Sequence, residues 1–166
     1  MSLIAEPASI AQTSAVEKDQ ELVITRMLSA PRELVWKVYT QPEHVIHWWG
    51  PNGFTHTFHE FEFAEGGVWR FMMHGPDGTD YPNRVIFREI KPIERIVYDH
   101  DSDDDNNVDV RFSVVTTMED RGNQTFLTHH MRATSAVMLE RMKSFGAIEG
   151  AKQHLARLDA YLQGLE

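Results

Sequence analysis

Residues 40–51, T-Q-P-E-H-V-I-H-W-W-G-P, and residues 65–73, E-G-G-V-W-R-F-M-M, carry the chain from helix to strand within one short span. Pro42 and Glu43 suit the first turn of a helix, and Gly50-Pro51 cannot continue one, so a short helix ends at Trp48 and Trp49. After the Gly66-Gly67 turn, Trp69, Phe71 and Met73 alternate, which places their side chains on one face of a strand. A large aromatic in a small domain usually fills a core. Here several stand in a chain that also carries Met138 and Met142 and has no nucleotide or metal motif. That combination predicts a cavity holding an apolar molecule.

Outward from this stretch, punctuation by Gly, Pro, Asn and Asp divides the chain. Residues 1–20 are small, polar and aperiodic and read as a flexible tail, with a single domain over 21–166. Leu22 to Leu28 is a strand, and the pre-proline turn at Ser29-Ala30-Pro31 opens a first short helix with Pro31 in its first turn. Strands follow near 54–63, 67–74, 82–91, 94–100, 108–118 and 124–132, with connections short enough for an antiparallel meander. From Ser135 the period changes: Met138, Leu139, Met142, Phe145, Ile148, Ala151, Leu155, Leu158 and Leu162 recur at helical spacing. Gly146 and Gly150 weaken a continuous helix and mark either a break or a close approach of the helix backbone to the sheet, so a Met-rich segment at 136–143 and a main helix from about 146 are expected.

Composition excludes several functions. The 166 residues contain no cysteine, which removes disulfides, thiolate zinc sites and a Cys nucleophile and points to a cytoplasmic protein. A net charge of −9 opposes binding to nucleic acid and to anionic membranes. No apolar run approaches the length of a membrane span. His44 and His47 have helical spacing for two metal ligands but lack a third, so they read as surface residues with one ring on Trp48. His56 and His59 fall on opposite faces of a strand. The acidic run 99–107 fails as a calcium loop because Asn106 and Phe112 stand where Gly and Glu would be needed, and it reads as a solvated hairpin loop. Of the possible acid–base groups Glu60, Glu62, Arg70, Arg111 and His129, alternation sends all but His129 to the outer face. His129 shares a face with Leu127 and Met131.

Five segments in order, I-T-R-M-L-S-A-P-R-E-L-V-W (24–36), 40–51, E-F-E-F-A-E-G-G-V-W-R-F-M-M (60–73), E-I-K-P-I-E-R-I-V-Y (89–98) and G-A-I-E-G-A-K-Q-H-L-A-R-L-D-A-Y-L (146–162), resemble the domains related to the activator of the heat-shock chaperone ATPase, in the START and birch-pollen-allergen-like superfamily. The resemblance implies an α+β helix-grip fold: a curved antiparallel sheet wrapped around a long C-terminal helix, with two short helices after the first strand and a hydrophobic cavity between sheet and helix. It departs at Ala64, where a basic residue would be expected. Carriers, cyclases and co-chaperones share this fold, so it does not choose among them.

The expected function is binding of a small hydrophobic or aromatic molecule in a cavity lined by Trp48, Phe71, Met73, Val85, Phe87, Phe112, Val114, His129, Met138 and Met142. The alternatives are a cyclase or dehydratase-type enzyme in which His129 transfers a proton in the same cavity, and a protein-interaction module using the outer sheet face. No cofactor and no metal are expected, and the chain reads as a monomer or homodimer.

Overall fold

In a computed structural model, which describes residues 13–105 and 111–165, eight strands form one antiparallel sheet. They are β1 (Ser14–Lys18), β2 (Glu21–Leu28), β3 (Thr55–Phe61), β4 (Val68–His74), β5 (Asp80–Lys91), β6 (Arg95–Asp101), β7 (Phe112–Arg121) and β8 (Gln124–Ala133). The spatial order is β1-β2-β8-β7-β6-β5-β4-β3. The chain crosses from β2 to the far edge through helices α1 (Arg32–Thr40) and α2 (Pro42–Trp48), then returns strand by strand until β8 lies against β2. Helices α3 (Ala136–Ser144) and α4 (Ala147–Gly164) close the molecule. The α+β helix-grip expectation holds, with the meander and the break between α3 and α4 where the sequence put them.

Three local expectations are corrected. Strand β1 lies inside the stretch read as a tail; Val16 pairs with Val23 and Lys18 with Glu21. Residues 1–12 of that stretch lie outside the described residues, as do residues 108–110 of the strand expected from 108. Pro31 precedes α1 as its N-cap and is not in its first turn. The acidic loop is not simply solvated: Asp101 is buried against Arg84 at 2.8 Å, and Asp103 and Asp105 also reach Arg84, at 3.6 and 2.9 Å.

The core lies between the concave sheet face and α4, whose Leu155, Leu158 and Leu162 are fully buried. A buried ion pair fixes this helix. Asp159 accepts from Arg26 on β2 at 3.2 Å and from the Ser29 amide at 2.9 Å. Between α3 and α4, Gly146 adopts φ 85°, a left-handed conformation that lets the chain turn without Cβ strain. Among the described residues no helix is long and apolar enough to cross a membrane.

Candidate functional site

The turn after α2 shapes the site. Trp48 is 1% exposed and its indole N–H donates to the Val38 carbonyl at 3.0 Å, so this ring belongs to the α1–α2 packing. The extended backbone at Trp49 sets the next ring, 5.5 Å from that of Trp48, edge-on to Trp69 at 4.7 Å and to His154 at 4.5 Å. Three α4 side chains hold the turn. The Gly50 amide donates to His154 Nδ1 at 2.9 Å, and the Asn52 amide donates to Gln153 Oε1 at 3.0 Å. Arg157 Nη1 reaches the carbonyls of Trp49, Gly50 and Pro51 at 3.0, 2.9 and 2.7 Å. Gly50 has φ 85°, and a Cβ there would stand 3.0 Å from Met73 Cε and 3.1 Å from His56 Nε2, so the position has no room for a larger residue.

Beside this turn lies a pocket of about 430 Å³. Its apolar wall includes Trp49, Met73, Phe112 and Met131 from the sheet side, with Met138, Met142 and Phe145 from α3 and its C-cap. Its polar groups include Asn83, Tyr98, His100, His129 and His154, with Asp101 and Ser102 at the end of β6 and Arg141 on α3. Of the residues expected from the sequence to line a cavity, Met73, Phe112, His129, Met138 and Met142 border this pocket. Trp48, Phe71, Val85, Phe87 and Val114 are not among the lining residues. Phe71 is stacked on Trp69 at 4.2 Å with Trp49 edge-on at 6.3 Å, and Val114 is fully buried. Val85 and Phe87 border only a void of about 10 Å³, room for no more than a water. Trp49 thus separates an aromatic-packed end of the concave face from an open end. Sequence alternation gave the face but could not show where one ring would divide it.

The missed residues carry the site's polarity. His100 shares the concave face with Tyr98, and His154 falls three residues after Ala151 and four before Leu158 on the buried stripe of α4; both signals were present in the spacing. His100 and His129 are lowered to about 4, chiefly by burial. His154 is held well below its ordinary value, again chiefly by burial, with His129 and Arg157 adding to the effect. His56, behind Met73 and Gly50, is also lowered to about 4 by burial. All four rings are neutral at pH 7. His44 and His47 lie elsewhere: His44 Nδ1 is 2.7 Å from the Tyr161 hydroxyl and His47 stacks on the Tyr161 ring at 5.9 Å, so Tyr161 and not Trp48 is their partner. Glu60 and Arg70 pair with each other at 2.7 Å on the outer face, Arg111 reaches Asp101 at 3.5 Å, and Glu62 is exposed. Among the described residues no group of three or more His, Asp or Glu is arranged to hold a metal.

A sheet gripping a C-terminal helix across such a pocket defines a helix-grip protein. The chain belongs to the family of Activator of Hsp90 ATPase homolog 1-like proteins, whose model matches residues 29–163. A solution structure of a protein from Arthrobacter aurescens is similar over 91% of each chain at 24% identity, with a TM-score of 0.85. A crystal structure of a protein from Mycobacterium smegmatis covers 89% of this chain and 95% of its own at 25% identity, with a TM-score of 0.79. The AHSA1 protein of Silicibacter pomeroyi shares 20% identity over 88% of this chain and 99% of its own, with a TM-score of 0.73. No curated protein matches the chain.

Proposed function

We propose that the protein binds a small hydrophobic or aromatic molecule in the pocket between the concave sheet face and the α3–α4 pair. The observation that carries this reading is the pocket itself. Its volume of about 430 Å³ falls within the range of small-molecule sites, and Trp49, Met73, Phe112, Met138 and Met142 give it a mainly apolar wall with a few polar groups among them. Burial of the ligand would supply the affinity, at about 25 cal/mol per Å² of apolar surface removed from water. The unbranched methionines of α3 can adapt to the ligand's outline.

The protonation of the histidines favours binding over proton transfer. A general base works best with a pKa near the operating pH, whereas burial lowers His129 to about 4. The outer sheet face offers little to an interaction module, because it carries exposed ion pairs such as Arg70–Glu60, Arg88–Asp99 and Arg95–Glu89 instead of an apolar patch.

Native mass spectrometry of the protein purified from its own host should show a co-purifying small molecule, lost on extraction with organic solvent. The emptied protein should then bind a neutral apolar dye such as Nile red and release it when the extract is returned. Absence of any bound mass together with no dye binding would overturn the reading.

A further inference from the structure

We propose that His154 orients the ligand and that the ligand offers it a neutral carbonyl oxygen, as an apolar or aromatic ketone does. The inference rests on the pocket-binding reading above and adds the chemistry of the ligand's polar group.

The tautomer of His154 follows from its partner. A backbone amide can only donate, and the Gly50 N–H points at His154 Nδ1 at 2.9 Å, so Nδ1 presents its lone pair. In a neutral imidazole the proton then sits on Nε2. His154 lines the pocket, and Nε2 has no hydrogen-bond partner among the described residues. Turning the ring over would set Cδ2 against the Gly50 amide and leave that buried N–H without its acceptor. The wall of the pocket therefore carries one N–H whose position and donor character are fixed by the fold, and its complement is an acceptor atom. His100 differs. Asn83 Nδ2 donates to the Tyr81 carbonyl, which turns Asn83 Oδ1 toward His100 Nε2 at 2.7 Å, so that N–H is already satisfied.

Charge separates a ketone from a carboxylate. The Arg157 guanidinium, behind the turn, is engaged with three backbone carbonyls, and the lining cation Arg141 is exposed on α3. Asp101, on the pocket wall, is paired with the buried Arg84 at 2.8 Å and with Arg111 at 3.5 Å, so these charges already answer one another. Because the buried Arg84 is already taken by Asp101, Asp103 and Asp105, a carboxylate would lose its hydration with no unpaired buried cation to face it, whereas a ketone gives up little on leaving water and gains the His154 N–H.

The test uses three naphthalenes of one outline: 2-acetylnaphthalene, 2-isopropenylnaphthalene, in which carbon replaces the oxygen, and 2-naphthoate. Calorimetry at pH 7.5 should rank the ketone roughly 3- to 10-fold tighter than the hydrocarbon, the gain of one neutral hydrogen bond, with naphthoate weakest. In His154→Asn, whose short amide can still accept from Gly50 but has no group at the Nε2 position, ketone and hydrocarbon should bind alike. In the unaltered protein the His154 Nε2–H resonance should move downfield with the ketone and stay in place with the hydrocarbon, a reading independent of how any variant folds. Equal binding of ketone and hydrocarbon, tightest binding of naphthoate, or a ketone advantage that survives in His154→Asn would overturn the assignment while leaving pocket binding intact. Failure of all three compounds to bind would overturn both.

Discussion

Helix α4 is fixed by directional polar contacts placed along its length, those of His154 and Asp159 buried, whereas α3 meets the sheet through apolar side chains that have many ways to fit. On α4, Gln153, His154 and Arg157 hold the turn after α2, and one turn on Asp159 holds β2 through Arg26 and the Ser29 amide. On α3, Ser135 caps the helix by accepting from the Met138 amide at 3.1 Å, and Met138 and Leu139 are buried, but Val137 is 73% and Phe145 85% exposed. Its tie to a distant strand is the ion pair of Lys143 with Glu17 on β1 at 2.7 Å. Hydrogen bonds to buried groups are directional and costly to break, while unbranched apolar contacts can be exchanged for others. The difference gives the pocket one wall that sets geometry and one that adapts.

Acid is expected to cause the largest loss, through His154 on the fixed helix and the three sheet histidines near it. His56, His100 and His129 are lowered to about 4 from an ordinary value of 6.5, and His154 is also held well below it, all chiefly by burial. With folded values below unfolded ones, the unfolded chain binds more protons in acid. The contribution of these rings is therefore complete above about pH 6.5 and is lost as the pH falls toward about 4, at about 1.4 kcal/mol per pH unit for each ring that must be charged. Urea unfolding followed from pH 7.5 to 4.5 should show that decline. A flat profile would mean that water reaches the rings and that the fixed wall is softer than its hydrogen bonds imply.

Asp159→Ala comes next. It removes the carboxylate from the buried Arg26 and leaves the Ser29 amide without its acceptor, a change expected to cost about 3–5 kcal/mol in urea unfolding. A cost below about 1 kcal/mol would show that Leu155, Leu158 and Leu162 alone hold α4, and the contrast with α3 would disappear.

The contrast also explains what the sequence could reveal. Strands announce themselves by alternation, so β4 and β8 were legible, and Gly146 marked the break between the helices. Strand β1, S-A-V-E-K, has no apolar alternation because it is an edge strand with little to bury, and nothing local marks it. Pocket residues on the adaptable side, Met138 and Met142, and on open sheet positions, Met73, Phe112 and His129, follow from period and face. On the fixed side, period places His154 on the buried stripe of α4 but leaves its partners unmarked. Whether Trp48 or Trp49 faces the pocket depends on the backbone at the last helical turn, and the work of His154 and Arg157 depends on amides and carbonyls about a hundred residues away.

A substitution at the pocket edge gives a smaller effect and tests the boundary drawn by Trp49. Phe112 is half-buried beside the pocket with its ring 4.8 Å from His100, whereas Phe71 is enclosed by Trp69, Trp49 and Phe58. Phe71→Ala should cost about 3–5 kcal/mol, as for a packed phenylalanine, and Phe112→Ala about half as much, with weakened binding of an apolar dye. Equal costs with unchanged dye binding would make Phe112 ordinary core and move the pocket's edge.

The smallest effect is a difference in local opening, and it bears on entry to the pocket. Residues 136–145 carry Met138, Met142 and Phe145 on the pocket's outer side, end at the left-handed Gly146, and are tied to β1 through Lys143 and Glu17. We expect this segment to swing about Ser144 to Gly146 while α4 stays in place, because an exposed ion pair contributes only about 0–1 kcal/mol and the methionine contacts can re-form in other arrangements. Hydrogen exchange should then be faster at amides 138–145 than at 150–160, and an apolar ligand should slow the first group selectively. Lys143→Ala should speed exchange in α3 by a few-fold without altering α4. Uniform protection across both helices, unchanged by ligand and by Lys143→Ala, would make α3 as rigid as α4, and the ligand would have to enter from the strand-end side, past Asp101 and Ser102.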